Sequence, residues 1–379
     1  MVESVFRGAA CAAMFALTFG LGGCGTIELI QDPAVARIRV GIDDAKALPA
    51  KKVAPYVVGY ALLSLAAYDD ALYGVGDRPA GKTSPRTVTA LESEDGDFQR
   101  RAQPWVEPWV LAGKLINQCD DHAGARRDFG YGGRKGSCLE SDSPRGRILD
   151  GLGLQIWTHG RPDSSFCRAV VLAFRGTDRK QRDDWYSNFR WVTRGLQLYD
   201  QYEQVQDHIG PIIERLKRFP CYRPGRTEIL AVGHSLGGGL AQQAAYRDGR
   251  VRRVFAFDPS FVTGYYDLDP KERDNNAKGL KIERVYEHGE ILAYPRLLLR
   301  NIYPPSACDP QIRHIRFNLI EGGSIVAQHS LQTLTDRLLT LAEGKAGRPD
   351  DDSFLPVSPL ARGHSGNCLP ADAIARAGS

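Results

Sequence analysis

Apolar residues along this chain gather in short runs separated by polar, glycine-dotted connections, with longer stretches of helical spacing between them. Val53 to Tyr73 (VAPYVVGYALLSLAAYDDALY) predicts a helix whose apolar face carries Leu62, Leu65, Ala66, Tyr68 and Leu72. Leu152 to Trp157 alternates as a half-buried strand does, and the HGRPDSSF that follows reads as a turn. RAVVLAF (168–174) is continuously apolar, the signature of a strand buried on both faces. ILAV (229–232), VRRVFAF (251–257), KIERVY (281–286) and HIRFNLI (314–320) extend the series. Tyr199 to Phe219 and Leu331 to Glu343 have helical spacing. Strands alternating with helices predict an α/β fold: a mainly parallel central sheet flanked by helices and joined by right-handed crossovers.

Other stretches carry less pattern. Residues 24–52 hold few aromatics and no sustained period, and read as a tether with a short helix at most. Residues 74–146 form an insert of two charged, Gly/Pro-dotted segments around PWVEPWVLAGKLI. Trp105 and Trp109 there are read as core, because aromatic side chains bury large areas, with a lipid-facing rim the alternative. Ser260 to Gly279 is a polar insertion, and residues 344–379 form an irregular tail. The main domain is therefore expected over 53–343.

The first residues are expected outside the fold. Gly8 to Gly20 (GAACAAMFALTFG) is apolar but short for a membrane-spanning helix, and it ends in small residues as a secretory signal peptide does. Leu21-Gly22-Gly23-Cys24 resembles the lipobox of bacterial lipoproteins, which implies a signal peptide over 1–23 and lipidation of Cys24. With Gly25 in place of Asp, the resemblance points to the outer membrane of a bacterial cell envelope, and the acyl chains would hold the protein at a bilayer surface.

Of eight cysteines, Cys11 lies in that leader and Cys24 is the lipid site. Cys119, Cys138, Cys167, Cys221, Cys308 and Cys368 remain, an even number that suggests disulfides in an exported protein. Their pairing stays open, with Cys119–Cys138 the choice for a local bridge. Cys119-Asp120-Asp121-His122 is read as a solvated loop, since two adjacent acids and one histidine do not close a metal site. A net charge of +4 over 379 residues gives no reason to expect nucleic-acid binding.

The chemistry centres on TEILAVGHSLGGGLAQQAAY (227–246), which contains Gly233-His234-Ser235-Leu236-Gly237. A buried strand leads into this G-x-S-x-G pentapeptide and a helix-favouring segment leads out, so Ser235 sits on a sharp strand-to-helix turn. Such a serine needs a base to accept its proton and an acid to orient that base. His329, in the loop after the last strand, is the candidate base, with His364 assigned to the tail. His234 is read as a packing or hydrogen-bonding residue. Glu290 and Asp258 both follow strands, where ligands bind in open α/β sheets. Glu290 is preferred as the acid, with Asp258 the alternative. The Leu236 N–H and Thr177, after the strand RAVVLAF, are the candidate oxyanion donors.

AFRGTD with DDWYSNF, VGHSLGGGLA, VYEHGEILAYPRL and AQHSLQTL together, in that order, resemble the class 3 lipase family, the fungal-lipase-like α/β-hydrolases. The resemblance implies an α/β-hydrolase fold and hydrolysis of a lipid carboxylic ester, a glyceride or a phospholipid, through an acyl-enzyme. It implies no metal and no cofactor. Ser235, His329, Thr177 and Leu236 fall on the family's motif positions, whereas Glu290 stands where the family normally has Asp. ILAYPRLLLRNIY (291–303) is expected to form an apolar acyl wall. A non-catalytic envelope lipoprotein using the fold as a scaffold, and a thioesterase or other acyl hydrolase, are the competing readings.

Overall fold

The continuous apolar runs became the centre of one sheet. In the computed structural model, which describes residues 32–40, 46–68, 96–116, 152–176, 201–293, 309–321, 324–325 and 327–343, the strands are β1 (Val35–Val40), β2 (Lys46–Pro49), β3 (Trp109–Ile116), β4 (Gly153–His159), β5 (Ala169–Phe174), β6 (Glu228–His234), β7 (Val251–Phe257), β8 (Lys281–Glu287) and β9 (Gln311–Phe317). The helices are α1 (Ala50–Ala66), α2 (Gly96–Val106), α3 (Gln201–Leu216), α4 (Leu236–Arg247), α5 (Pro270–Ala277) and α6 (Leu331–Ala342). The sheet runs in the order β2-β1-β9-β8-β7-β6-β5-β4-β3. Its centre, β5 through β9, is parallel, and antiparallel strands extend it at both edges.

Each central strand is buried on both faces because helices cover both. Ala169, Val171, Leu230, Val232, Phe255, Phe257 and Ile315 face the layer of α1, α2 and α6. Val170, Leu172, Phe174, Ile229, Ala231, Val254 and Ile312 face α3 and α4. A fully buried Leu, Val or Phe contributes roughly 1.5–3 kcal/mol relative to exposure. α1 lies in the middle of its layer: Tyr60 stacks on Phe255 at 3.9 Å between ring centroids, and Tyr56 meets the same ring edge-on at 5.4 Å. It is buried nearly all round, not along the single face expected.

Two further expectations are corrected and one is met. Residues 35–40 and 46–49, read as tether, are the β1–β2 edge of the sheet. In β1 Ala36 and Ile38 point inward while Arg37 and Arg39 are exposed, a two-residue period too short to register along the sequence. Within the 74–146 insert, α2 packs on α1 and β3 pairs with β4, with Trp105 and Trp109 both buried. The strand at 153–159 is buried on both faces, not half-buried, and its buried Gln155 is satisfied internally. Its Nε2 donates to the Ala66 carbonyl at 2.8 Å and its Oε1 accepts from Trp157 Nε1 at 3.0 Å.

The polar insertion 260–279 contains α5, capped by Asp269, whose side chain accepts the Glu272 N–H. Pro270 at the first helical position and Glu272 at the third complete an N-terminal signature. A disulfide joins Cys167 to Cys221, across a 54-residue separation. The proposed Cys119–Cys138 pair, Cys24, the signal peptide over 1–23 and the tail over 344–379 lie outside the described residues. No helix among the described residues is long and apolar enough to cross a membrane.

Candidate active site

β6 ends at His234 and α4 begins at Leu236, so Ser235 alone makes the turn between them. Its backbone has φ 56° and ψ −124°, a conformation that costs a non-glycine residue about 1–3 kcal/mol. Four main-chain hydrogen bonds hold it there. The Ser235 N–H donates to the Phe257 carbonyl at 3.0 Å, and the Ser235 carbonyl accepts from Gly238, Gly239 and Ser260 at 3.0, 3.2 and 3.0 Å. The flanking glycines are required by contact. A Cβ on Gly233 would lie 2.2 Å from the Gly237 carbonyl oxygen, and one on Gly237 would lie 2.3 Å from the Phe174 carbonyl oxygen. The first-turn N–H of Leu236 opens α4, where helix geometry leaves backbone donors without intrahelical partners.

The other candidates arrive on neighbouring strands at the same end of the sheet. Asp258 follows β7, Glu290 lies three residues past β8, and His329 closes a short 3-10 turn (Ala327–His329) after β9. His329 and Glu290 meet: Nδ1 lies 2.8 Å from Oε2, and both side chains are buried. The same Oε2 accepts the Leu292 N–H at 2.8 Å, so one carboxylate oxygen holds its own loop and the imidazole together. A carboxylate only accepts, which places the proton of a neutral His329 on Nδ1 and leaves Nε2 as the basic atom. The His329 ring lies beside His234, with centroids 4.7 Å apart, which brings the loop after β9 to the residue preceding Ser235.

Asp258 is the second buried acid here. It too has positive φ, 39°, and is fully buried. Its N–H donates to the Val285 carbonyl at 2.8 Å and its Oδ1 accepts the Glu287 N–H at 2.9 Å, so it ties the ends of β7 and β8 together. One oxygen of Asp258 and one nitrogen of each of His234 and His329 lie within 4.8 Å of one another. Both His234 nitrogens are engaged, by Tyr68 and by the His329 carbonyl, and His329 Nδ1 is engaged by Glu290. Three of the four imidazole nitrogens in this trio are thus committed to protein partners.

Glu287, at the end of β8, carries an electrostatic perturbation. Burial pushes its carboxyl up to about 7, against the opposing pull of main-chain N–H groups of Ile320, Leu319 and His288. Leu319 and Ile320 donate to its Oε1 at 2.8 and 3.2 Å, anchoring the chain that leads towards His329. Burial also lowers His288, half-buried near Arg316 and Arg37.

The structure therefore brings Ser235, Leu236, Asp258, Glu290 and His329 to one end of the sheet. Thr177 lies outside the described residues, as does most of the 291–303 stretch. Sequence reading missed Tyr68, taken only as part of a helix face, and the Asp258–Glu287 link. No local pattern signals either.

Residues 151–257 match a family model described as a Tle-like phospholipase domain. That segment runs through β4 to β7 and contains Ser235, but stops before Asp258, Glu290 and His329. Two acetyl xylan esterases are among the similar solved structures. One, from Paenibacillus sp. R4, is 12% identical with TM-score 0.25, covering 49% of this chain and 79% of that one. The other, acetyl xylan esterase 1 from Thermoanaerobacterium sp. JW/SL YS485, is 14% identical with TM-score 0.25, covering 50% of this chain and 80% of that one. Likenesses at that level say nothing about activity. No curated protein matches the chain. The parallel sheet between two helical layers, with serine, acid and histidine following in that chain order, has the architecture of the α/β-hydrolase fold.

Proposed function

We propose that the protein is a serine carboxylic-ester hydrolase acting on acyl lipids. The observation that carries this reading is the buried His329–Glu290 hydrogen bond of 2.8 Å, set beside a serine turn with φ 56°. In this mechanism Ser235 is the nucleophile, His329 the base and Glu290 the acid that orients it. His329 Nε2 takes the Ser235 Oγ proton as Oγ attacks the ester carbonyl. The Leu236 N–H and Thr177 stabilise the oxyanion of the tetrahedral intermediate. Collapse breaks the acyl–oxygen bond, and His329 returns the proton to the leaving alcohol. Water, deprotonated by His329, then releases the acid and regenerates Ser235.

Two likenesses favour a lipid ester: the match of 151–257 to a Tle-like phospholipase domain, and the motif order shared with class 3 lipases. The apolar sequence that follows Glu290, ILAYPRLLLRNIY, suits an acyl chain. A lipid anchor at Cys24 would hold the enzyme at a bilayer surface, and the mass of the mature N-terminus tests it: an unmodified cysteine removes the anchor.

The test of function compares wild type with Ser235→Ala on phosphatidylglycerol vesicles, emulsified triacylglycerol and p-nitrophenyl butyrate. Hydrolysis of at least one ester is expected, falling by about 10⁴-fold or more in the variant. Equal rates for both proteins on every substrate would overturn the reading. Turnover of triacylglycerol without phospholipid would assign the lipase alternative.

A further inference from the structure

We propose that His234, inside the pentapeptide, is a positioning residue that holds the backbone of His329 at a fixed distance from Ser235. The proposal rests on the assignment of Ser235 and His329 as nucleophile and base. His234 Nε2 lies 3.0 Å from the main-chain oxygen of His329, in a buried contact. A carbonyl only accepts, so Nε2 carries a proton and donates it. The neutral ring then offers Nδ1 as an acceptor to the Tyr68 hydroxyl, 3.0 Å away. The His234 carbonyl oxygen lies 3.2 Å from that hydroxyl, so the hydroxyl's single proton is shared between the side chain and the backbone of His234.

This contact joins four segments. Tyr68 stands two residues beyond α1. His234 ends β6, and His329 belongs to the loop after β9. Gly176, in the Arg175-Gly176 segment that leads to Thr177, presses against the same point: a Cβ there would lie 2.3 Å from the Tyr68 hydroxyl oxygen and 2.7 Å from the His234 carbonyl oxygen. The nucleophile elbow, the base loop and the chain leading to the oxyanion candidate thus share one hydrogen-bonded junction.

The chemical consequence follows from what each contact fixes. Glu290 fixes the rotation of the His329 imidazole through Nδ1. His234 fixes the main chain from which that imidazole hangs. Nucleophile and His234 are adjacent in sequence, so the separation of serine and base is set by one peptide unit and one hydrogen bond. A misplacement of about 1 Å in such an arrangement can cost about 10²-fold in rate while leaving substrate binding intact.

The experiment measures kcat and KM on p-nitrophenyl butyrate, and the rate of Ser235 labelling by a fluorophosphonate, for wild type, His234→Leu, His234→Gln, Tyr68→Phe and Ser235→Ala. His234→Leu keeps bulk and removes the donor; kcat and labelling rate are expected to fall roughly 10–100-fold with KM within about twofold. The Nε2 of glutamine reproduces the donor, so His234→Gln is expected to recover to within about threefold of wild type. Tyr68→Phe should lower kcat by up to about tenfold. A His234→Leu variant with wild-type kcat overturns the proposal, as does a His234→Gln variant no better than leucine, which would mean that the side chain only fills space. If the leucine variant does not fold, the glutamine and Tyr68→Phe variants decide: wild-type kcat in Tyr68→Phe together with failure of glutamine to support turnover contradicts it. Retained turnover in Ser235→Ala would instead remove the underlying assignment of the nucleophile.

Discussion

Glu283 and Glu287 lie on the same strand, both buried, in opposite electrostatic settings. Glu283 sits under α1, where the Arg313 guanidinium pairs with it and the Tyr56 hydroxyl donates to its Oε1 at 2.7 Å. Glu287, at the strand's carboxyl end, is met by main-chain N–H groups. Three residues further on, Glu290 meets an imidazole. The middle of the sheet therefore neutralises its buried charge within a fixed pair. The carboxyl end of the strand holds carboxylates by weaker dipoles and by a group that itself changes charge between pH 5 and 8. A buried ion pair is silent chemically, whereas a carboxylate against a neutral imidazole stabilises the cation formed when that imidazole accepts a proton. This difference singles out the carboxyl end of the strands as the place for the proposed catalysis.

The comparison breaks most sharply at Glu290. Glu290→Gln should lower kcat/KM by roughly 10²–10⁴-fold, since an amide no longer stabilises the imidazolium. Asp258→Asn, measured beside it, should lose less, because Asp258 Oδ1 holds the Glu287 N–H and an amide oxygen can still accept it. A Glu290→Gln variant with full turnover would transfer the role to Asp258. In the middle of the sheet the effect should appear in stability. Arg313→Met strands a buried carboxylate and should cost about 3–5 kcal/mol in urea unfolding, with the double variant Glu283→Met/Arg313→Met recovering at least half of it. If the single and double variants are equally destabilised, the pair is not what neutralises Glu283.

The smallest effect concerns Glu287. Its folded-state carboxyl titrates near 7 instead of 4.5, so the folded protein holds the proton more tightly than the unfolded chain does. The sign follows: its contribution to stability is present in full below about pH 4.5 and is lost as the pH rises to about 7, a change of at most about 3 kcal/mol. Glu287→Gln, which cannot ionise, should remove that component. The difference in unfolding free energy between variant and wild type should therefore grow in the variant's favour from pH 4.5 to 7. A difference that is flat across this window would place Glu287 with the ordinary carboxylates.

The central strands were legible in the sequence because burial on both faces leaves continuous apolar runs, as in AVVLAF and ILAV. The edges were not. β1 carries Arg37 and Arg39 on its exposed face, and β3 stands in an insert whose flanks are charged and dotted with Gly and Pro, so neither separates clearly from loop. The serine turn and the histidine after the last strand were legible because a turn that tight restricts which residues can flank it. The buried helix face gave no hint that Tyr68 would reach His234, since that contact spans 166 residues. The α5 cap is carried by Asp269-Pro270-Lys271-Glu272, inside a segment whose polar composition reads only as an insertion.

The central claim is that Ser235 is made nucleophilic by the buried His329–Glu290 pair. Peptide mapping by mass spectrometry after fluorophosphonate treatment tests it directly. The account predicts a single phosphonylated residue, Ser235, forming at least about 10²-fold more slowly in His329→Ala and Glu290→Gln. An adduct on another residue, or labelling of Ser235 at an unchanged rate in both variants, would contradict it.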